Sequence, residues 1–477
     1  MAVYFKFRTL ADIESANTSL GLNLRFTDDL TSLFHHAAIG NLRAGNRLCI
    51  QPMEGCDGTL DGQPDELTFR RYRRFGGGGA KLIWGEAAAV VDEGRANPRQ
   101  LWLHEGNAES FAQLVQVGRQ AHREVFGSDD DLVLGLQLTH SGRYSYRRPL
   151  IACHDPLLDT RTLIDKASGK TADAAYSLLS DDYLHRLVDQ YVAAARLAFR
   201  VGFQFVDLKQ CHRYLLNELL SARTRPGPFG GDFENRTRLA REIILGIRAE
   251  IPELVIASRL NVFDGIPFQK RASDGIGKPG PWESPLLTAW GTSADDPMLP
   301  DLTEPLEWIG TMARLGVALI NVSMGNPYSS PHLLRPFEYP PPDGYLPPEH
   351  PLVGVDRHFQ LAGRIQQSFP QLPIVGSGYS YLQEYLFNAG AANVRDGRIT
   401  FVGVGRAALP QPDFARQLLE QGKLDRKRVC RTFSYCTALM RSKHNDLGQF
   451  ATGCPPFDKE IYGPIWDQAK RAEGLPK

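Results

Sequence analysis

Eight short apolar runs recur along the chain: "RLCIQPM" (47–53), "AKLIWGEA" (80–87), "LVLGLQL" (132–138), "FQFVDL" (203–208), "LVIASRL" (254–260), "VALINVS" (317–323), "PIVGSG" (373–378) and "ITFVGVG" (399–405). They are apolar nearly throughout rather than alternating, the pattern of parallel strands covered on both faces. Between them, apolar residues return at helical spacing. In "SDDYLHRLVDQYVAAARLAFRVG" (180–202), Ser180 can cap a helix, and Asp181 and Asp182 favour its positive end. Leu184, Leu187, Val188, Tyr191, Ala195 and Ala198 form one apolar stripe, and Gly202 supplies the stop. Eight alternating strand and helix units predict an α/β fold, a (β/α)8 TIM barrel. A doubly wound open sheet competes, but no glycine-rich fingerprint follows the first strand.

Three segments interrupt the alternation. Residues 143–179 and 262–300 are long, polar loops punctuated by glycine and proline. "RPFEYPPPDGYLPPEHP" (335–351) holds seven prolines in seventeen residues, too many for a helix or a central strand. All three leave the C-terminal rim of the barrel and read as cap loops over a pocket, with linker-like disorder as the alternative. The barrel is expected over 1–421 and a C-terminal extension over 422–477.

Composition narrows the setting. Lys+Arg and Asp+Glu both number 54, so no charge excess points to nucleic acid or an anionic membrane. The first twenty residues lack the apolar core of a secretory signal, and no stretch approaches 18 apolar residues. The seven cysteines are odd in number and scattered, which speaks for a cytoplasmic protein without a disulfide framework. A small-molecule substrate is the expected partner, and a homo-oligomer is open.

The candidate chemistry sits at strand ends. "PIVGSGYS" and "ITFVGVGRAAL" place glycines where backbone N–H groups can approach a phosphate, and Arg406 adds a charged clamp. Such barrels commonly bind phosphate after strands seven and eight. A pair of tight turns is the bland alternative. Gln137 and Arg259 follow apolar runs and together suit the polar edge of a planar ligand, although each alone reads as a satisfied structural residue. "DLKQCHRYLL" (207–216) gathers Lys209, His212 and Tyr214 at one strand end.

At this point a resemblance becomes specific. "NRLCIQPM", "GGGAKLIWGEAAAVVDEGR", "GLQLTHSGR", "GFQFVDLKQCHRYLLNELLS", "FGGDFENRTRLAREII", "VALINVSMGNP", "IVGSGYS" and "FVGVGRAAL" occur in the order and spacing of the Old Yellow Enzyme family, from about residue 30 to 420. The tail resembles the longer branch that holds 2,4-dienoyl-CoA reductase and trimethylamine dehydrogenase. The resemblance implies an FMN-binding barrel in which Pro52, Met53 and Ala87 line the flavin. Gln137 and Arg259 would bond its pyrimidine edge, and Gly376, Ser377, Gly378, Gly405 and Arg406 would hold its phosphate. Tyr214 falls where many ene-reductases keep a proton-donating tyrosine; a packed tyrosine is the alternative.

Three positions depart from that pattern. Lys209 replaces the first of the usual His-x-x-His or His-x-x-Asn pair, with His212 as the second. A lysine can polarise a carbonyl, stabilise an enolate or simply neutralise a nearby acid. Glu54 replaces the Cys or Thr near the flavin's N5/O4 edge, where a carboxylate would disfavour the electron-rich reduced flavin or be protonated by desolvation. A Glu54–Lys209 ion pair would account for both changes, and a loop shift turning Glu54 to water is equally simple. The branch's cluster-binding cysteine run reads Cys430, Phe433, Cys436, then Cys454, so one thiolate position is an apolar ring. That argues against an iron–sulfur cluster, with zinc or a three-cysteine cluster left open, and makes the tail structural. The implied activity is an FMN-dependent oxidoreductase passing hydride from NADH or NADPH to an activated C=C bond of a carbonyl compound. Alternatives are an amine dehydrogenase or demethylase, a lyase using a Lys209 Schiff base, and a flavin-binding protein without turnover.

Overall fold

The computed structural model describes residues 3–442 and 445–472. Residues 1–2 of the expected barrel, and 443–444 and 473–477 of the expected extension, lie outside the described residues. Eight parallel strands close into a barrel in chain order: β1 (Leu48–Ile50), β2 (Leu82–Ala89), β3 (Val133–Thr139), β4 (Phe205–Leu208), β5 (Val255–Asn261), β6 (Val317–Ser323), β7 (Ile374–Gly376) and β8 (Phe401–Val404), which pairs back to β1. Each apolar run holds one strand, so the fold expected from the sequence is the fold found. The principal helices are α1 (Glu66–Gly76), α2 (Ala108–Phe126), α3 (Asp181–Arg200), α4 (Phe233–Glu250), α5 (Thr303–Arg314), α6 (Pro351–Ser368), α7 (Leu386–Arg395) and α8 (Phe414–Gln421). In α3 the Ser180 side chain accepts from the Tyr183 N–H, and Leu184, Leu187, Tyr191, Ala195 and Ala198 are buried as the stripe predicts.

The barrel floor is filled from inside. Cys49, Trp84, Val133, Phe205, Ala257, Leu319, Val375 and Phe401, one from each strand, form a cluster separate from the layer between strands and helices. Ala37, Ile39 and Ala44 of the hairpin Ala37–Ile39/Leu42–Ala44 join it and plug the barrel. Trp84 and Phe205 meet edge to face at 5.0 Å, and a Cβ on Gly135 would lie 2.2 Å from the Phe205 ring. Only glycine leaves room for that ring.

The long loops divide their roles. Pro341 of the proline-rich segment borders the cavity at the barrel mouth, as do Tyr328 and Leu334 just before it. The segments 143–179 and 262–300 do not reach that cavity, contrary to the reading of all three as caps. They pack on each other instead, with Arg161 donating to the Phe268 carbonyl at 2.9 Å. Arg213 bridges Asp155 of one to Asp264 of the other. Beyond α8 come α9 (Tyr435–Arg441) and α10 (Lys459–Ala472). Asp458 accepts from Arg70 (2.8 Å) and Arg74 (2.6 Å) of α1, and the Thr452 N–H donates to the Gly55 carbonyl (2.7 Å).

The loop after β1 is held by a buried charge cluster. Arg71 donates to both Asp57 oxygens (2.5 and 2.9 Å) and to Glu86 (2.6 Å), and Glu86 accepts from the Gly55 N–H (2.8 Å). Removing the cation leaves two desolvated carboxylates facing each other. Arg71→Leu should therefore cost about 3–5 kcal/mol, read as a lowered urea midpoint. A loss below about 1 kcal/mol would mean that the carboxylates find other partners.

Candidate functional site

One cavity opens at the C-terminal ends of the strands and encloses about 1290 Å³ of atom-free space, part of it open to solvent. Pro52, Met53, Glu54, Ala87, Gln137, Lys209, His212, Tyr214, Arg259, Ser377, Gly378, Gly405 and Arg406 all border it. Gly376 does not. It lies inside β7, where a Cβ would meet Ile399 at 2.9 Å, so its glycine serves strand packing rather than the cavity wall.

The polar floor is organised by Asp207 at the interior of β4. Its carboxylate accepts from Gln137 Nε2 (2.6 Å), Trp84 Nε1 (2.7 Å) and the Arg259 backbone N–H (2.6 Å). Burial pushes its pKa up to about 6 despite those bonds. Because the Gln137 amide donates to Asp207, its carbonyl oxygen remains as an acceptor. Arg259 donates to the Pro52 carbonyl at 3.4 Å, and its Nε is buried without a partner. The guanidinium and the amide thus share one edge of the cavity. Sequence reasoning missed Asp207 because a single acid in "FQFVDL" looks like a strand end.

Elsewhere on the wall, Ser377 Oγ accepts from Gln51 Nε2 (3.0 Å) and donates to the Val322 carbonyl (2.9 Å). Gly403, which also borders the cavity, has no space for a side chain: a Cβ would sit 2.0 Å from Gln51 Nε2. Gly378 has φ +92°, and a Cβ there would strike the His358 ring at 2.7 Å. Arg406 donates to the Thr437 hydroxyl; Arg335 donates to Ser434 Oγ (2.9 Å) and to the same Thr437 hydroxyl (3.5 Å). Among the described residues neither arginine has a carboxylate within 4.0 Å. Burial first, and then Arg406, hold the Arg335 pKa down to about 9. Two unneutralised guanidiniums beside glycine-lined turns are suited to a phosphate group.

Arg335 was hidden in the proline-rich loop, and the extension carried a signal that sequence reasoning misread. Cys436, Thr437, Met440 and Thr452 border the cavity, so the tail, expected to be structural, supplies part of the wall. It does so because α9 packs against the two arginines. Among the described residues no three His, Cys, Asp or Glu side chains converge in a way that would hold a metal ion.

The third face carries Lys209, His212 and Tyr214. The turn after β4 takes left-handed backbone at both His212 (φ +66°) and Arg213 (φ +62°). Such residues persist only when surroundings over-determine them. Here Asn326 donates to the His212 carbonyl (2.6 Å), Asn217 accepts from the Arg213 N–H (2.6 Å), and the Arg213 side chain is locked between two aspartates. His212 Nε2 contacts Ser323 Oγ at 3.0 Å. Its pKa lies well below the usual range, from burial and then from Arg259 and Lys209, so the imidazole is neutral. Lys209 Nζ lies 3.6 Å from the centre of the Tyr214 ring and has no carboxylate within 4.0 Å among the described residues. Burial lowers its pKa.

Glu54 takes neither arrangement expected from the sequence. It forms no ion pair with Lys209 within 4.0 Å and is not turned to bulk water; it borders the cavity, half-buried, and accepts from Asn97 Nδ2. Burial pushes its pKa up to about 7, and Lys209 pulls against that shift.

Residues 32–278, just over half of the chain, match the family model described as NADH:flavin oxidoreductase / NADH oxidase. This chain belongs to the NADH:flavin oxidoreductase / NADH oxidase family. It is 28% identical over 268 residues to an NADH:flavin oxidoreductase of Gibberella zeae, covering 52% of this chain and 61% of that one. The chain thus spans about three fifths of that relative's length. The fold is similar to that of a 2-naphthoyl-CoA reductase in complex with 2-naphthoyl-CoA (TM-score 0.65, 17% identity, 92% of this chain and 58% of the other). It is also similar to an old yellow enzyme homologue from Zymomonas mobilis (TM-score 0.58, 22% identity, 84% and 96%). No helix among the described residues is long and apolar enough to cross a membrane.

The position of Glu54 gives a stability test. Its folded pKa, about 7, exceeds the ordinary 4.5, so the folded state keeps a proton that the unfolded chain releases. Rising pH across that window favours unfolding, and above it the loss is complete. Glu54→Gln removes the effect. The stability difference between Glu54→Gln and the wild type should grow in the variant's favour by about 1–3 kcal/mol between pH 5 and 8, measured by denaturant unfolding. A difference independent of pH would show that Glu54 is ionised throughout.

Proposed function

We propose that the protein is an FMN-dependent oxidoreductase that takes hydride from NADH or NADPH and reduces an activated C=C bond of a carbonyl compound. The observation that carries this reading is the lining of the cavity at the strand ends. It brings together two guanidiniums with no carboxylate within 4.0 Å among the described residues, side-chain-free glycines, and Gln137 and Arg259 bonded to Asp207. The residues present fit the cofactor. Arg406, Arg335, Ser377, Gly378, Gly403 and Gly405 would hold its phosphate, Gln137 and Arg259 its pyrimidine edge, and Pro52, Met53 and Ala87 its ring. When bound, the flavin supplies two-electron hydride exchange between the nicotinamide and the alkene.

The chain's own residues prepare the substrate. Lys209 presents its ammonium to the cavity with an aromatic face as its close partner, so an incoming carbonyl oxygen becomes its acceptor. As electron density moves onto that oxygen, the cation stabilises it where little water competes. His212, neutral and steadied by Ser323, stands beside it as a second polar contact.

The visible spectrum of purified protein, before and after anaerobic NAD(P)H, tests the reading: a yellow protein should bleach. Colourless protein that cannot be reconstituted with FMN would overturn it. Arg406→Ala should weaken FMN binding by about 1.5–3 kcal/mol, the scale of a hydrogen bond to a charged group, measured by flavin fluorescence. Since no cysteine replaces Glu54, the cofactor should be released by acid precipitation. Iron and acid-labile sulfide in protein prepared without oxygen should be near zero. Lys209→Met should lower kcat/KM by roughly 10²–10³, as for one lost oxyanion donor, with flavin content unchanged. Lys209→His should recover part of that loss for neutral enones and less for carboxylate-bearing ones. Wild-type rates in both variants would leave Lys209 as a charge partner only.

A further inference from the structure

The alkene needs a proton as well as a hydride, and Tyr214 and Glu54 are acidic groups that border the cavity with Lys209. Tyr214 is poorly placed to give one up. Its hydroxyl contacts the Tyr328 hydroxyl at 3.3 Å, its ring packs on Tyr144, and a phenolate there would form beside a second phenol. Burial, then Tyr328 and Glu54, hold its ionisation well above the usual tyrosine range. Glu54 is arranged differently. Among the described residues its only hydrogen bond is the one Asn97 donates to Oε1, so Oε2 is left for the cavity that it shares with Lys209.

The charged and titratable groups around Glu54 support the same division. Glu86, from β2, is consumed by Arg71 and the Gly55 N–H and cannot exchange a proton with the cavity. Cys56, on the same loop, is buried and its thiol is held well above its ordinary pKa. Tyr214 and Tyr328 are both pushed up by burial. Lys209 is the cation that pulls the Glu54 pKa down.

We infer that Glu54, rather than Tyr214, hands the proton to the substrate carbon, with Lys209 holding the oxyanion that precedes the transfer. This rests on the flavin oxidoreductase reading. Hydride addition at the β-carbon pushes the alkene's π electrons onto the carbonyl oxygen, where Lys209 meets the enolate. The enolate's electron pair then forms a C–H bond at the α-carbon with the Glu54 proton, and the O–H bond breaks. The carboxylate left behind faces the Lys209 ammonium until water returns the proton. The glutamate that replaces the usual Cys or Thr is then a gain of an acid, and Lys209 is its electrostatic counterpart.

The test uses the FMN-loaded protein, reduced with dithionite and mixed anaerobically with 2-cyclohexen-1-one, with flavin reoxidation followed from pH 5.5 to 9. The wild-type rate should fall about tenfold per pH unit above an inflection near 7, the point at which Glu54 loses its proton. Glu54→Gln should lose the inflection and slow by about 10²–10³-fold, within the range of a missing general acid. Glu54→Asp should restore part of the rate and keep an inflection, and Tyr214→Phe should keep the inflection near 7. Independently of turnover, infrared difference spectra of wild type against Glu54→Gln should show a protonated carboxyl that disappears with the same midpoint. Protein that takes up FMN and is reduced by NAD(P)H, but shows one pH profile in wild type and Glu54→Gln, overturns this inference and leaves the flavin reading standing. A carboxylate already ionised at pH 5.5 does the same. Protein that never takes up FMN overturns both.

Discussion

The carboxylate of Asp207 is buried at 0% exposure in the centre of a parallel barrel, and three other strands supply polar groups that keep it there. Trp84 reaches it from β2, Gln137 from β3 and the Arg259 backbone from β5. An isolated carboxylate at such depth would cost several kcal/mol, so the strands must stay in the register that supplies all three donors. The same register determines what faces the cavity. With its amide turned down toward Asp207, Gln137 shows its carbonyl upward; with its N–H engaged, Arg259 projects its guanidinium beside the Pro52 carbonyl. One buried charge thus sets both the alignment of the floor and the donor and acceptor pattern of the wall above it.

Much of this was legible in the chain, and the reasons are physical. Strands covered on both faces leave continuous apolar runs, and each of the eight runs holds a strand. The polar residue just past such a run lies at the barrel mouth, so Lys209 and Arg406 stood out. Glycine at a strand end has two uses, and at Gly376 the position of Ile399 makes strand packing one of them. Asp207 was invisible for the converse reason: a buried acid inside a strand looks like a boundary until its donors are known. Arg335 and Thr437 come from segments with no periodic pattern, and only the folded arrangement brings them together at the end of β8.

The two departures at Glu54 and Lys209 show where pattern reading stops. Opposite charges at positions expected to face the same ligand suggest a salt bridge, yet the pair is not formed within 4.0 Å. Desolvation decides the matter. Burying two full charges costs more than their attraction returns unless each is also well hydrogen-bonded. Glu54 has one donor from Asn97, and Lys209 has the face of Tyr214. Both groups are therefore drawn toward their neutral forms, Glu54 upward in pKa and Lys209 downward. A pair held short of the bridge keeps acid and cation separately available to a third molecule, which a closed ion pair would not.

The same logic, with the sign reversed, applies to the two arginines of the cavity wall. Arg335 and Arg406 converge on one threonine hydroxyl, and a hydroxyl can accept from them but cannot neutralise them. Without an anion the two cations repel, and burial adds to the penalty. A dianion between them would relieve both costs. Because the shared hydroxyl belongs to α9, the proposed phosphate and the docking of the extension draw on the same pair of arginines. Anything that binds the folded arrangement and not the open one stabilises it, so occupancy between these arginines and closure of the wall by the tail must favour each other. The extension is then coupled to the proposed phosphate through Thr437 and the two arginines it accepts from.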